Sequence, residues 1–415
     1  MIPDKDRVPT SARRILSRLM ASDYEAYLVG GCVRDVLIGR PLNDWDITTD
    51  ATPQQVSDIF ERVIPTGIDH GTVTVLMDGE PYEVTTYRID GDYSDGRRPD
   101  GVSFTPNLTE DLARRDFTIN AMAWCPETDS IVDPFDGQSD LSSRLVQAVG
   151  DAHARLSEDG LRAMRAVRFA AVLDFTIEPS LERALADTLE NFSKVSVERI
   201  AVELRKTLMS HRAAWGVTTL RDTGLLGCFL SSLATLEEDV FDQLAMSLSR
   251  APIDFETRLA LLLSPLGEQA GGEVANLRFS KRIRESVSRL IQHRHVPVPP
   301  DEDRRGLYSL VRSIGRAHGS RWAEYREALD GNAERWEAFM ERCGAAGVDS
   351  VPLEPKELAV DGRAIIDALK IKPSKRIGLI LEALLEKVWE DPSRNEVNYL
   401  MAILSDVAAE VGESS

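Results

Sequence analysis

The hydrophobic pattern of the chain changes character near residue 150. Before that point, short β-branched runs such as "YLVG" (27–30), "GTVTVLM" (71–77) and "YEVTTYRI" (82–89) alternate with helical stretches, which predicts strands and helices mixed in one head. After it, apolar residues recur at helical spacing in "LRAMRAVRFAAVL" (161–173), "SVERIAVELRKTLM" (196–209), "RLALLLSPLG" (258–267) and "RIGLILEALLEKVW" (376–389), with almost no strand signal. Turn-rich breaks fall at "HVPVPPDED" (295–303) and "GVDSVPLEP" (347–355). The pattern therefore predicts an α/β head over residues 1–150 and a chain of helices beyond it. We divide the helical part into 151–215, 216–350 and 351–415.

Composition narrows the class. A length of 415 residues suits several domains, and 43% hydrophobic with 28% charged residues describes an ordinary folded protein. No segment approaches the roughly 18 apolar residues that span a bilayer, and the start, "MIPDKDRVPTSARRIL", lacks the apolar stretch of a signal peptide. Cys32, Cys125, Cys228 and Cys343 lie far apart without CxxC spacing, so neither a disulfide framework nor a structural zinc is expected, and a reducing, cytoplasmic setting is. A formal net charge of −19 argues against binding a polyanion through the overall field. Contact with nucleic acid would need local basic patches, and "KRIRESVSRLIQHRH" (281–295) and "LKIKPSKR" (369–376) supply two, each also readable as a solvated helix face.

The chemistry concentrates in "YLVGGCVRDVLIGRPLNDWDITTDATPQQV" (27–56). A strand runs into Gly30-Gly31 and then into a helix, leaving backbone N–H groups unobstructed at the helix start, where phosphate can sit; Arg34 adds a cation one turn on. Neither a Walker A loop nor GxGxxG spacing is present, and a plain turn is the competing reading. In an extended segment Asp44 and Asp46 point to one side and Trp45 to the other, and paired carboxylates suit Mg²⁺ completed by substrate phosphates. The alternative is that one aspartate caps the helix near "TPQQV" and the other is solvated. Glu83 is either a third carboxylate or an ordinary strand-surface residue.

This stretch resembles the signature of the class II tRNA nucleotidyltransferase and bacterial poly(A) polymerase family. Four further segments resemble the family's remaining motifs in order: "ARRDFTINAMAW" (113–124), "DPFDGQSDL" (133–141), "SEDGLRAMRAVRFAA" (157–171) and "VSVERIAVEL" (195–204). The resemblance implies an α+β fold, a nucleotidyltransferase-type α/β head with a small mixed sheet followed by an all-helical neck (151–215), body (216–350) and tail (351–415). It implies that Asp44 and Asp46 bind Mg²⁺; Glu83 is the candidate third catalytic carboxylate beside them. Gly30, Gly31, Arg34, Arg115, Asp159, Arg162, Arg165 and Arg168 are the implied nucleotide-binding residues.

Base edges explain the fourth motif. Cytosine and adenine both offer an amino donor beside a ring acceptor, whereas uracil and guanine reverse the pattern. Asp159 accepts only and Arg162 donates only; at i and i+3 on a predicted helix they would stand side by side and match C and A. A lone "RRD" can equally be a solvated helix start or a salt bridge to Asp116, and the three-residue arginine spacing an ordinary charged helix face. Leu161, Met164, Val167 and Phe169 are assigned to the core, and Glu158 to the helix's early acidic position or to orienting a template residue. The polar stretch "IDGDYSDGRRPDGVS" (89–103) matches the position of the family's flexible loop, which implies full CCA addition or terminal A addition. The implied activity is CCA addition to tRNA from CTP and ATP. An A-adding enzyme or poly(A) polymerase of the same family is the near alternative, and a catalytically silent RNA-binding protein the distant one.

Overall fold

The structure, a computed structural model, describes residues 3–42, 44–91 and 101–413. Residues 92–100, which hold most of the loop expected between Arg88 and Phe104, lie outside them, as does Asn43. The chain divides into two compact units, Met1–Glu237 with Asn276–Arg278, and Glu238–Ala275 with Phe279–Ser415.

The first unit opens with helix α1 (Thr10–Met20), then strand β1 (Ala26–Val29), helix α2 (Gly31–Leu37), β2 (Ile47–Thr49) and α3 (Pro53–Ile59). The hairpin-rich run β3 (Val63–Gly67), β4 (Thr72–Met77), β5 (Glu80–Thr86), β6 (Arg88–Asp90) and β7 (Val102–Phe104) leads to α4 (Leu108–Ala113). Strands β8 (Ala123–Cys125) and β9 (Ser130–Val132), helix α5 (Gly137–Ser143) and strand β10 (Leu145–Val146) complete the head. Seven strands form one sheet in the order β3-β4-β5-β2-β1-β8-β9. It is mixed: β2 runs parallel to β5, while the other neighbours, such as β1 with β2 and β8, are antiparallel. The alternation read in the sequence has a cause here, since Val73, Val75, Tyr82 and Val84 turn inward while Pro81 and Glu83, on the other face of β5, are exposed. Val29, Tyr87, Leu112, Ala121, Ala123 and Val149 close one core cluster around the β1 end of the sheet.

Beyond the head come α6 (Ala152–Glu158), α7 (Leu161–Leu173), α8 (Pro179–Asp187), α9 (Leu189–Phe192), α10 (Val197–Leu208) and α11 (Ala213–Asp222). Helix α7 is buried nearly all round, with Arg162 and Arg168 among its buried residues. One expectation needs correction: the chain after 150 is not wholly helical, because strand β11 (Thr176–Ile177) pairs in parallel with β10. Two residues are too short for a periodic signal, and the pairing is decided by where α7 returns the chain.

The second unit consists of helices, from Glu238–Arg250 to Val397–Glu413. The breaks expected at 295–303 and 347–355 fall between helices, the first between Lys281–Gln292 and Arg304–Ile314 and the second after Ala333–Ala345. Among the described residues, no helix is long and apolar enough to cross a membrane.

Candidate active site

Strand β1 delivers the chain into Gly30, whose φ of 76° and ψ of −127° no ordinary L-residue adopts. A Cβ there would also lie 2.9 Å from Arg115 Nη1. Helix α2 starts immediately after, so the turn expected from "GGCVRD" is present. Arg34 sits one turn along it, buried, with Nε and Nη2 donating to Asp35 and Nη1 donating to Asn120 Oδ1 at 2.6 Å.

The aspartate pair lies just before β2. Trp45 is buried while Asp44 is exposed and Asp46 half-buried, the alternation of an extended segment. The capping alternative is excluded: helix α3 is capped by Thr52 in a capping box with Gln55. Because β2 and β5 run parallel with Ile47 opposite Val84, the residues one step earlier, Asp46 and Glu83, stand beside each other on the opposite face. Burial and the Glu83 carboxylate push the Asp46 carboxyl above the usual aspartate range; Arg115 pulls it down, and Asp44 adds to the rise. All three carboxylates line a cavity of about 820 Å³. Their side chains have no ion pair among the described residues, and no group of three His, Cys, Asp or Glu residues there is arranged to hold a metal ion by itself.

Asp46 also borders a second cavity, of about 460 Å³, whose wall is built mainly of arginines. Arg34, Arg115, Arg162, Arg165 and Arg168, the arginines named from the sequence, all face it, together with Gly30, Gly31 and Asp159. The "RRD" segment does not behave as either simple reading expected. Arg114 and Arg115, at the end of α4, pair with the buried Asp111, not with Asp116. Burial opposes ionisation of Asp111, but Arg115 and Arg114 outweigh it and hold its carboxyl below the usual range. Asp116 instead accepts from Arg165 Nε at 2.7 Å, from Asn120 Nδ2 at 2.9 Å and from the Phe117 amide. Burial again opposes its charge, and Arg165, the Asn120 amide and Arg162 together hold it well below the ordinary value.

Asp159 corrects a further expectation. It is not on a helix with Arg162: α6 ends at Glu158, Asp159 has extended backbone, and α7 starts at Leu161. The corner forms because Gly160 packs on α9, where a Cβ would meet Asn191 O at 2.5 Å. Asp159 accepts from Leu161 N at 3.0 Å and, bidentately, from Arg199 on α10 at 3.1 and 2.6 Å. Arg162 donates to Glu158, to Arg155 O and to Arg114 O, the last two at 2.9 Å. Glu158 is thus the last residue of α6, not an early one, and it holds Arg162. Leu161 and Phe169, assigned to the core, are buried but also line the cavity.

Residues 26–147 match the family described as the poly A polymerase head domain, and residues 174–236 match a probable RNA and SrmB-binding site of polymerase A. The chain is 36% identical to the CCA-adding enzyme of Lactiplantibacillus plantarum over 96% of both chains. It is 37% identical to that of Geobacillus stearothermophilus over 92% of both. The chain belongs to the CCA-adding enzyme family. Its fold is similar to the crystal structure of the Bacillus stearothermophilus CCA-adding enzyme in complex with CTP, with a TM-score of 0.83 and 31% identity over 98% of both chains. The Thermotoga maritima CCA-adding enzyme complexed with tRNA shares the fold, at a TM-score of 0.69 and 19% identity over 97% of both chains.

CCA-adding enzymes are nucleotidyltransferases, and this member's two cavities meet at one carboxylate. Several residues that hold the arginine wall in place went unassigned in the sequence: Asn120, which bridges Arg34 and Asp116; Arg199, which holds Asp159; and Glu203, which accepts from Arg168 Nε at 2.8 Å. A signal was available. Arg199 and Glu203 lie four apart in "VSVERIAVEL", hence on one helix face, with charges opposite to those of Asp159 and Arg168.

Proposed function

We propose that this chain extends tRNA 3′ ends with CCA from CTP and ATP, releasing pyrophosphate, and that the arginine cavity binds one nucleotide at a time. The observation that carries the reading is the hydrogen-bonding capacity left over at Asp159 and Arg162. A carboxylate offers about four acceptor positions, and Asp159 uses three. A guanidinium offers five N–H donors, and Arg162 commits three, leaving Nε–H and one hydrogen on Nη2 without a partner among the described residues. One acceptor and two donors suit cytosine, with its N4 amino group and its N3 and O2 acceptors, and adenine, with its N6 amino group and N1. Uracil and guanine would leave these groups facing like with like, and a closed site rejects such partners by roughly 10⁴.

The donor set at the acidic edge fits Mg²⁺. Asp44 and Asp46 provide hard oxygen ligands that form no ion pair of their own among the described residues, and one or two carboxylates plus substrate phosphates is the usual arrangement. Asp44 and Asp46 would hold the ions, with Glu83 adjoining. Bound there, Mg²⁺ supplies activation of the RNA 3′-hydroxyl and charge stabilisation of the departing pyrophosphate. The Gly30-Gly31 turn leaves space for the triphosphate, which Arg34, Arg165 and Arg168 neutralise; Arg115 reaches the nucleotide from α4. The basic segments at 281–295 and 369–376 contact tRNA phosphates in a head, neck, body and tail arrangement bounded at 150, 215 and 350. We place the activity in the cytoplasm.

Incorporation of labelled CTP and ATP into three tRNA transcripts, ending before CCA, after CC and after CCA, tests the reading. Addition of two C and one A followed by arrest is expected. Addition of A to the CC-ended transcript alone would make it an A-adding enzyme, continued A addition a poly(A) polymerase, and no incorporation a silent RNA binder.

A further inference from the structure

Three guanidiniums gather around one aromatic ring at the base of the arginine cavity. The carbon centres of Arg168, Arg34 and Arg165 lie 3.4, 4.9 and 5.3 Å from the centroid of Phe169. Each arginine is tied elsewhere by a different carboxylate: Arg34 by Asp35, Arg165 by Asp116, Arg168 by Glu203. Those anchors sit on three separate segments, and the ring is the group the three cations share. The ring's plane is itself fixed, because Phe117 meets it edge-on at 5.7 Å and 80°. Phe117 follows Asp116 directly, so the segment that anchors Arg165 also orients the ring.

We propose that Phe169 is a positioning residue whose π electrons, beyond its bulk, hold Arg34, Arg165 and Arg168 at the spacing that receives the triphosphate. Like charges crowded in a half-dry cavity repel, and burial together with the neighbouring Arg165 lowers the pKa of Arg168 despite its Glu203 partner. An aromatic quadrupole attracts each cation without presenting a carboxylate that would compete with phosphate. An aliphatic side chain of similar volume would fill the space and leave the repulsion unanswered. The proposal deepens the nucleotide-site reading above and rests on it.

The test is steady-state kinetics of the full chain with tRNA, CTP and ATP, comparing Phe169→Leu with replacement of Phe169 by mono-, di- and trifluorinated phenylalanine. Fluorination weakens the quadrupole stepwise at nearly constant shape, so it separates π attraction from packing even where the leucine variant fails to fold. The expected result is KM for both nucleotides rising step by step to about 10-fold, with kcat changed less than about 3-fold and Tm held. The inhibition constant of inorganic pyrophosphate should rise in parallel, since it has no base. Flat KM across the series, while Arg168→Gln raises it, would overturn the role of Phe169 and leave the triphosphate site standing. Flat KM in both would overturn the triphosphate site as well.

Discussion

The acidic edge and the arginine cavity share Asp46 and are opposites in how their charge is balanced. Asp44, Asp46 and Glu83 line one cavity without an ion pair among the described residues, and burial of Asp46 with the repulsion of Glu83 and Asp44 raises its pKa against the pull of Arg115. The cavity arginines each have an internal acid: Asp35, Asp111, Glu158, Asp116, Glu203 or Asp159. One side is charge-balanced within the protein, and on the proposed reading the other would be balanced by divalent cations and substrate. The difference teaches which parts are fixed before substrate arrives. The arginines are held in place by ion pairs, which on the proposed reading lowers the cost of ordering them when a nucleotide binds, whereas the carboxylates have no such hold.

Substitutions on the two sides should fail differently. Asp46→Asn should reduce single-turnover CTP incorporation by about 10³-fold or more, with Tm unchanged or raised because repulsion is relieved; chelation of divalent ions should do the same reversibly. A large loss of Tm would break the contrast.

On the arginine side, Asp116→Asn should cost about 2–3 kcal/mol of stability by leaving Arg165 uncompensated, below the full buried-pair figure because Arg165 is a third exposed. The pH sign follows from the depressed Asp116 pKa. Its contribution is fully present above the unfolded aspartate value of about 3.9 and is lost as pH falls through the folded value. Urea midpoints of wild type and variant should therefore differ by a constant amount from pH 7 to 5 and converge below about pH 4.

Arg199→Gln removes the bidentate hold on Asp159. KM for CTP and ATP should rise about 10-fold, and the relative incorporation of UTP should increase, read in competition assays. An unchanged nucleotide preference would mean that Asp159 needs no anchor. The smallest effect expected is from Gly160→Ala, where the added methyl meets the backbone of Asn191 and Phe192. It should cost about 1–2 kcal/mol in denaturant unfolding and shift the Asp159 corner enough to raise nucleotide KM a few-fold.

Much of the molecule was readable from the order of residues. The Gly30-Gly31 turn, the alternation around Trp45, the strand carrying Glu83 and the long helix of Arg162, Arg165 and Arg168 are local matters: backbone freedom, a period of two and a period near 3.6 are properties of neighbouring residues. The relative breaks at 295–303 and 347–355 were legible for the same reason. What could not be read was which distant group each charge meets. Asp159 close to Arg162 in sequence suggested a helical pair, yet Gly160 approaching Asn191 on α9 turns a corner between them, and only that approach and the packing of α7 against α10 decide the contact. Arg115 beside Asp116 suggested a bond, yet Asp111 and Arg165 take the two apart. Sequence by itself determined which residue types are present and the local shape that carries them. The tertiary structure decided their partners, because ion pairing and ring stacking act over a few ångströms of space, whatever the separation along the chain.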